Sequence, residues 1–208
     1  MNRQFPNSTK ELNQYIVENP YRADIAVKAL QAAYSENLDW LEKSFPRAVL
    51  RTEKITQADR EVERRFPAVR TMDGNDEADM LEVDNYAAYD FFYQIDTENL
   101  IDFEERVFNV YQAQLRNIFW FNLNEIDPNR GDDFLPELET EILQVISNTK
   151  YQDFNGTTIR GIEVQRVYQE PQNIFSGFSF NLVDTQFLHS PYRGLRFDLL
   201  VTFSEQCG

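Results

Sequence analysis

One histidine, His189, and one cysteine, Cys207, are all that this sequence holds of the side chains that most often bind zinc or pair with a nucleophile. A zinc site takes three or four such ligands, so structural and catalytic zinc are all but excluded. A Ser-His pair would have to use His189, which stands in the turn His189-Ser190-Pro191-Tyr192-Arg193-Gly194 and reads as a surface histidine. Cys207 lies in Ser-Glu-Gln-Cys-Gly with no basic neighbour to favour its thiolate. The seven glycines are scattered singly, and neither G-x-x-x-x-G-K-[ST] nor G-x-G-x-x-G occurs, so no phosphate-cradling loop is expected. Two loops crowd oxygens together, Asp73-Gly74-Asn75-Asp76-Glu77 and Asp127-Pro128-Asn129-Arg130-Gly131-Asp132, but neither has the D-x-[DN]-x-[DN]-G order of a calcium loop. Any two of the 35 carboxylates could meet as a glycosidase pair, and the spacing singles out none. The expectation is a chain that is not an enzyme, with no catalytic residue, no cofactor and no metal.

What remains is charge. Twenty Lys and Arg against 35 Asp and Glu leave a net −15, which disfavours gripping a nucleic-acid backbone over a broad surface. Between Asp73 and Glu105 stand twelve acids and not one Lys or Arg. Two readings fit this run. One is a solvated acidic loop with charged strand edges. The other is a surface built to repel a polyanion, such as the wall of a channel through which DNA slides. Geometry must separate them.

The elements that would position these residues are legible from periodicity. The stretch Thr158–Phe203 reads as an antiparallel meander of three strands, marked by Ile162 and Val164, by Phe178, Phe180 and Leu182, and by Leu195, Phe197, Leu199, Val201 and Phe203 on alternate positions. One face of that sheet should be buried and one wet. Upstream, Ser8 and Glu11 form a capping-box pattern for a helix from about 9 to 18, with Leu12, Ile16 and Val17 as its apolar stripe. Asn19-Pro20 starts a second helix running to about 43, with Val27, Leu30, Tyr34, Leu38 and Leu41 on one side. Strands are expected at 48–53, 66–72 and 89–95. Thr56 is expected to cap a charged helix over 57–65. Residues 97–103 are expected to form a turn or short helix, followed by a long strand from 107 to 123. A helix over 135–148, capped by Asp132 or Asp133, buries Leu138, Ile142, Val145 and Ile146.

The fold class expected is α+β, a single mostly antiparallel β-sheet with two packed helices plus an N-terminal helical arm. Residues 1–20 form the arm and 21–208 a single domain, since 208 residues suit one good core. With 42% apolar and 14% aromatic residues the chain is no disordered tail. No apolar run approaches the roughly 18 residues that a membrane helix needs. The N-terminus lacks an apolar signal-peptide core, and the lone cysteine suits a reducing compartment.

This order of elements resembles that of phage tail-terminator and head-to-tail joining proteins, the small subunits that form rings in the neck of tailed phages. The resemblance is carried by the leading helix to Leu41, by Phe66-Pro67-Ala68-Val69-Arg70 before an acidic loop, by the Tyr111–Leu123 strand, by the helix to Asn148 and by the closing strand Leu195–Phe203. It spans residues 22 to 204 as a pattern, without a strict motif. The sequence departs from the family in its N-terminal arm, in its charged 57–65 segment and in the length of 73–88.

The resemblance implies a non-enzymatic virion protein, made in the host cytoplasm, that forms a six- or twelve-fold homo-oligomeric ring. Its partners would be the portal or an adjacent neck ring and the tail tube, with DNA only passing through and no membrane contact. Asp73, Asp76, Glu77 and Asp79 would then face the lumen, and Leu12, Ile16 and Val17 would form a subunit-contact arm. The reading from another class is an acidic soluble interaction module, a nucleic-acid charge mimic or inhibitor, which needs no ring.

Overall fold

The computed structural model describes residues 15–16, 21–57, 59–71, 76–83, 85–104, 107–130, 134–149, 153–154, 157–179 and 190–206. In chain order its elements are β1 (Tyr15–Ile16), α1 (Ala23–Asn37), β2 (Lys43–Gln57), β3 (Arg60–Thr71), β4 (Glu77–Asp79), β5 (Ala88–Gln94), β6 (Asn99–Glu104), β7 (Phe108–Asn122), α2 (Leu123–Ile126), α3 (Leu135–Asn148), β8 (Asp153–Phe154), β9 (Thr157–Tyr168), α4 (Pro171–Ile174) and β10 (Tyr192–Gln206). The strands connect into one sheet, and every pairing is antiparallel except that of β2 with β5. The architecture is therefore α+β around one mostly antiparallel sheet. No helix among the described residues is long and apolar enough to cross a membrane.

The sheet is built on two 15-residue strands. β7 and β10 pair along their whole length, from Tyr192 opposite Asn122 to Gln206 opposite Phe108. Alternation then sorts their side chains between two faces. Leu115, Phe119 and Phe121 on β7 join Leu195, Phe197, Leu199, Val201 and Phe203 on β10 in the larger core, beneath α1 and α3. Rings mesh edge to face there: Tyr34 lies 5.6 Å from Phe119 at 64°, and Phe197 lies 5.8 Å from Phe119 at 83°. On the opposite face Ile118 and Trp120 join Tyr89 and Phe91 under Met80, Leu81, Ile174 and Phe175. Both faces of the central strands are thus covered, where the sequence led us to expect one wet face. The polar alternates of β7 and β10, Arg116, Arg196 and Asp198, lie beneath the 171–179 turn instead of in water. Arg116 Nη1 donates to the Ser176 carbonyl (2.7 Å), and Arg196 donates to the carbonyl of Asn173.

Helix α1 begins at Ala23, and its free N-terminal amides are served by carboxylates: Ala23 N–H donates to Glu98 (2.7 Å), and Tyr21 N–H to Asp24 (2.7 Å). It ends at Asn37, six residues short of expectation, because Leu38 and Leu41 continue the buried stripe as a turn and Lys43 already opens β2. Helix α3 occupies 135–148 as expected, with Leu138, Ile142, Val145 and Ile146 buried; Asp132 and Asp133 lie outside the described residues.

Three further expectations about secondary structure are overturned in the body of the chain. The charged 57–65 segment is not a helix: Gln57 pairs with Arg60, and a hairpin carries β2 into β3, turning at Asp59 with φ 61°. Aspartate tolerates that left-handed conformation better than most residues. Residues 99–104 form strand β6 where a turn or short helix was expected. Residues 176–179 belong to the turn after α4, with Gly177 at φ 98°, where a middle strand of the meander was expected; Phe180 and Leu182 lie outside the described residues.

Candidate assembly surface

The acidic segment is organised by two arginines. Strand β4 runs antiparallel to β3, with Ala68 opposite Asp79 and Arg70 opposite Glu77. Arg51, on the neighbouring β2, grips Glu77 with Nη2 2.7 Å and Nε 3.0 Å from Oε1, which holds the Glu77 carboxyl below its usual range. Both side chains are one-third exposed (34% each), so this pair is solvent-screened. Glu77→Gln is expected to change unfolding free energy by less than about 1 kcal/mol in a denaturant titration.

Arg64, only 7% exposed, is bonded to three carboxylates at once: Glu53 (2.7 Å), Glu82 (2.8 Å) and Asp79. Burial pushes Asp79 up to about 6, against the opposing pull of the Leu81 N–H and of Arg64. Three carboxylates on one guanidinium leave this patch net negative. Asp76 is exposed just ahead of β4, and Asp73 lies outside the described residues. The structure therefore brings Asp76, Glu77 and Asp79 onto one short run, with Glu77 bonded to Arg51 and Asp79 to Arg64.

The arm is extended where it is described. Tyr15 pairs with Thr71 and Ile16 with Arg70, so the helix expected over 9–18 is replaced at these residues by strand β1; Leu12 and Val17 lie outside the described residues. Ala68 faces both Val49 and Asp79, and Arg70 faces both Ile16 and Glu77. Strand β4 thus follows one edge of β3, while β2 and then β1 share the other.

That sharing is possible because β2 changes partners midway. Residues 43–48 pair with β5 and residues 49–57 with β3. The change follows a bulge between Ser44 and Arg47, which absorbs Pro46 inside the strand. Where β2 leaves β5, a cleft of about 360 Å³ opens, lined by Tyr21, Arg47, Leu50, Tyr93 and Ile95 among others. Beyond the cleft, β6 takes over the place of β5 along β7, since β10 occupies the other edge of β7 throughout. Among the described residues β6 pairs with β7 alone.

The apolar surface concentrates along this line. The large apolar side chains exposed among the described residues are Tyr21 and Leu50 at the cleft and Leu100, Ile101, Val107 and Phe108 on the β6–β7 hairpin. Leu100 and Ile101 are adjacent, yet both are about half exposed (46% and 49%). A bulge between Leu100 and Asp102 explains it by breaking the alternation at Ile101. An edge strand without lysine or proline, carrying exposed apolar residues, invites pairing with another chain.

Sequence reasoning missed a polar group in the core. Asp90, counted among the solvated acids, is fully buried on the helix-facing side of β5. Its Oδ2 accepts from Asn117 Nδ2 (2.6 Å), while Asn117 Oδ1 accepts from the Tyr34 hydroxyl (2.7 Å). Ser44 stands beside the carboxylate without a well-formed bond, leaving Asp90 Oδ1 without a donor. Its position between Ala88 and Phe92, inward on an apolar strand, was the available signal. No protein-family model matches this chain and no curated protein does, so what it does must be read from its own geometry.

Proposed function

We propose that this chain is a structural protein of a tailed-phage neck, forming a ring of six or twelve copies that joins the portal to the tail. The observation that carries this reading is the open β6 edge, where Leu100, Ile101, Val107 and Phe108 stand exposed on a chain of net charge −15. An apolar strand edge on so acidic a surface is costly to leave in water and is suited to contact between subunits. The α+β arrangement, with the two long helices α1 and α3 on one face of a mostly antiparallel sheet, supports a tail-terminator-like subunit. The net-negative patch around Arg64, with Asp76 and Glu77 beside it, supports a lumen wall past which DNA slides without sticking. No catalytic step is assigned to the chain.

The test is native mass spectrometry and electron microscopy of the purified chain over a concentration series, with and without a portal ring. Closed six- or twelve-subunit rings, alone or templated on the portal, are expected. A chain that stays monomeric and ignores the portal would overturn the ring and favour the acidic interaction module. Rings with Asp76, Glu77 and Asp79 on the outer rim would remove the lumen role alone.

A further inference from the structure

Strand polarity indicates which surface of a neighbouring copy the β6 edge meets. Outward from β6 the strands run β6, β7, β10, β9, each antiparallel to the next. Strands β6 and β9 therefore bound this part of the sheet and point in opposite directions. A β9 placed beside the β6 of another copy, with the helical layer kept on the same face, continues the antiparallel order without inversion. Among the described residues the outer side of β9 is covered by β8 only at Thr157 and Thr158.

The chemistry of the two edges is complementary. Strand β6 carries Asp102 and Glu104 and no basic residue, whereas β9 carries Arg160 and Arg166 with one acid, Glu163. Ile162 and Val164, half-buried on β9, offer apolar surface to Leu100 and Ile101. At Gly161 nothing lies within 4 Å of where a Cβ would stand, so the sheet face above that position is open. Each outer strand is also bulged: at Ile101 in β6, and at Arg160 and Gln165 in β9. Bulges bend and twist a sheet, which is how a sheet is curved towards closure. Pairing of β6 with its own copy across a two-fold axis would instead set acidic edge against acidic edge.

We propose that the β6 edge of one copy pairs antiparallel with the outer edge of β9, around Gly161–Val164, of a second copy, so that a single sheet runs from subunit to subunit. The two surfaces differ, so the contact is head to tail and repeats until the rotation closes. This rests on the ring reading above and names its joint.

Two measurements test it on the full chain. Ile101→Asp, at an exposed position, is expected to leave thermal unfolding unchanged and to raise the half-assembly concentration at least about tenfold. In a Cys207→Ser background, a mixture of Leu100→Cys chains with Glu163→Cys or Val164→Cys chains is expected to give mixed disulfide dimers, and Leu100→Cys alone none. Rings that survive Ile101→Asp and yield no mixed cross-link overturn the β9 pairing while the ring reading stands. Disulfide dimers of Leu100→Cys alone overturn it in favour of two-fold pairing. A parent chain that never assembles overturns both.

Discussion

At pH 8, Asp90→Asn is expected to unfold about 5–15 °C above the parent chain, and at pH 4 the two should coincide. Asp90 has no cation in its network; its neighbours are Asn117, Tyr34 through Asn117, and Ser44. Burial raises its pKa to about 7, and the nearby Ser44 hydroxyl and the Asn117 hydrogen bond offset this only in part. The Tyr34 phenol is pushed well above its usual range by burial and then by the Asp90 charge, so it stays a donor.

In the unfolded chain Asp90 titrates near the ordinary value of about 3.9. The folded state therefore holds this proton more tightly than the unfolded state does. The associated stability is complete below about pH 4 and is lost as pH rises through about 7. One pKa unit is worth about 1.4 kcal/mol, so the ionised carboxylate costs roughly 2–4 kcal/mol at pH 8. Asparagine keeps the acceptor for Asn117 and turns an amide towards Ser44, so it escapes that cost. Asp79, raised to about 6, acts with the same sign, and the Asn variant isolates the contribution of Asp90. Parallel pH profiles for the two chains between pH 4 and 8 would sink the argument.

Arg47→Ala is expected to cost about 3–5 kcal/mol, while removing Asp24 as well should cost less than either single change. Arg47 Nε donates to Asp24 Oδ1 (2.8 Å) and Nη2 to Oδ2 (3.2 Å), with the two side chains only 6% and 8% exposed. Truncating the arginine strands a buried carboxylate whose remaining support is the Tyr21 N–H. It also removes the guanidinium that lies 4.9 Å from the Tyr21 ring centroid on the wall of the cleft. A double-mutant cycle in chemical denaturation measures the coupling; additive single effects would show that the pair is not a unit.

Where burial follows hydrophobicity, the sequence was a good guide. Strands β7 and β10 and helix α3 announce themselves because the positions they turn towards the larger core are apolar, Asn117 on β7 excepted. The 57–65 segment misled because the inward positions of β3 are Val62, Arg64 and Phe66, and a buried arginine hides the alternation. Its balance of Glu and Arg then reads as a solvated helix. Residues 97–110 misled for the opposite reason: Leu100 and Ile101 are apolar but not buried, so their spacing reports an open edge instead of a core stripe. The acids at 77 and 79 were visible as charge, but their partners Arg51 and Arg64 sit on strands whose register no local pattern gives. Asp90 shows the same limit, because burial of a charge depends on what packs over it.

Arg22, at the root of the arm, has a mechanical consequence. Its guanidinium is bonded to Glu205 on β10 (2.6 Å) and to Glu98 just before β6 (3.3 Å), and it lies 3.9 Å from the centroid of the Tyr111 ring on β7. Arg22 therefore ties the start of helix α1 at one point to three adjacent parts of the sheet. A force on the start of that helix is shared among these parts instead of falling on a single strand.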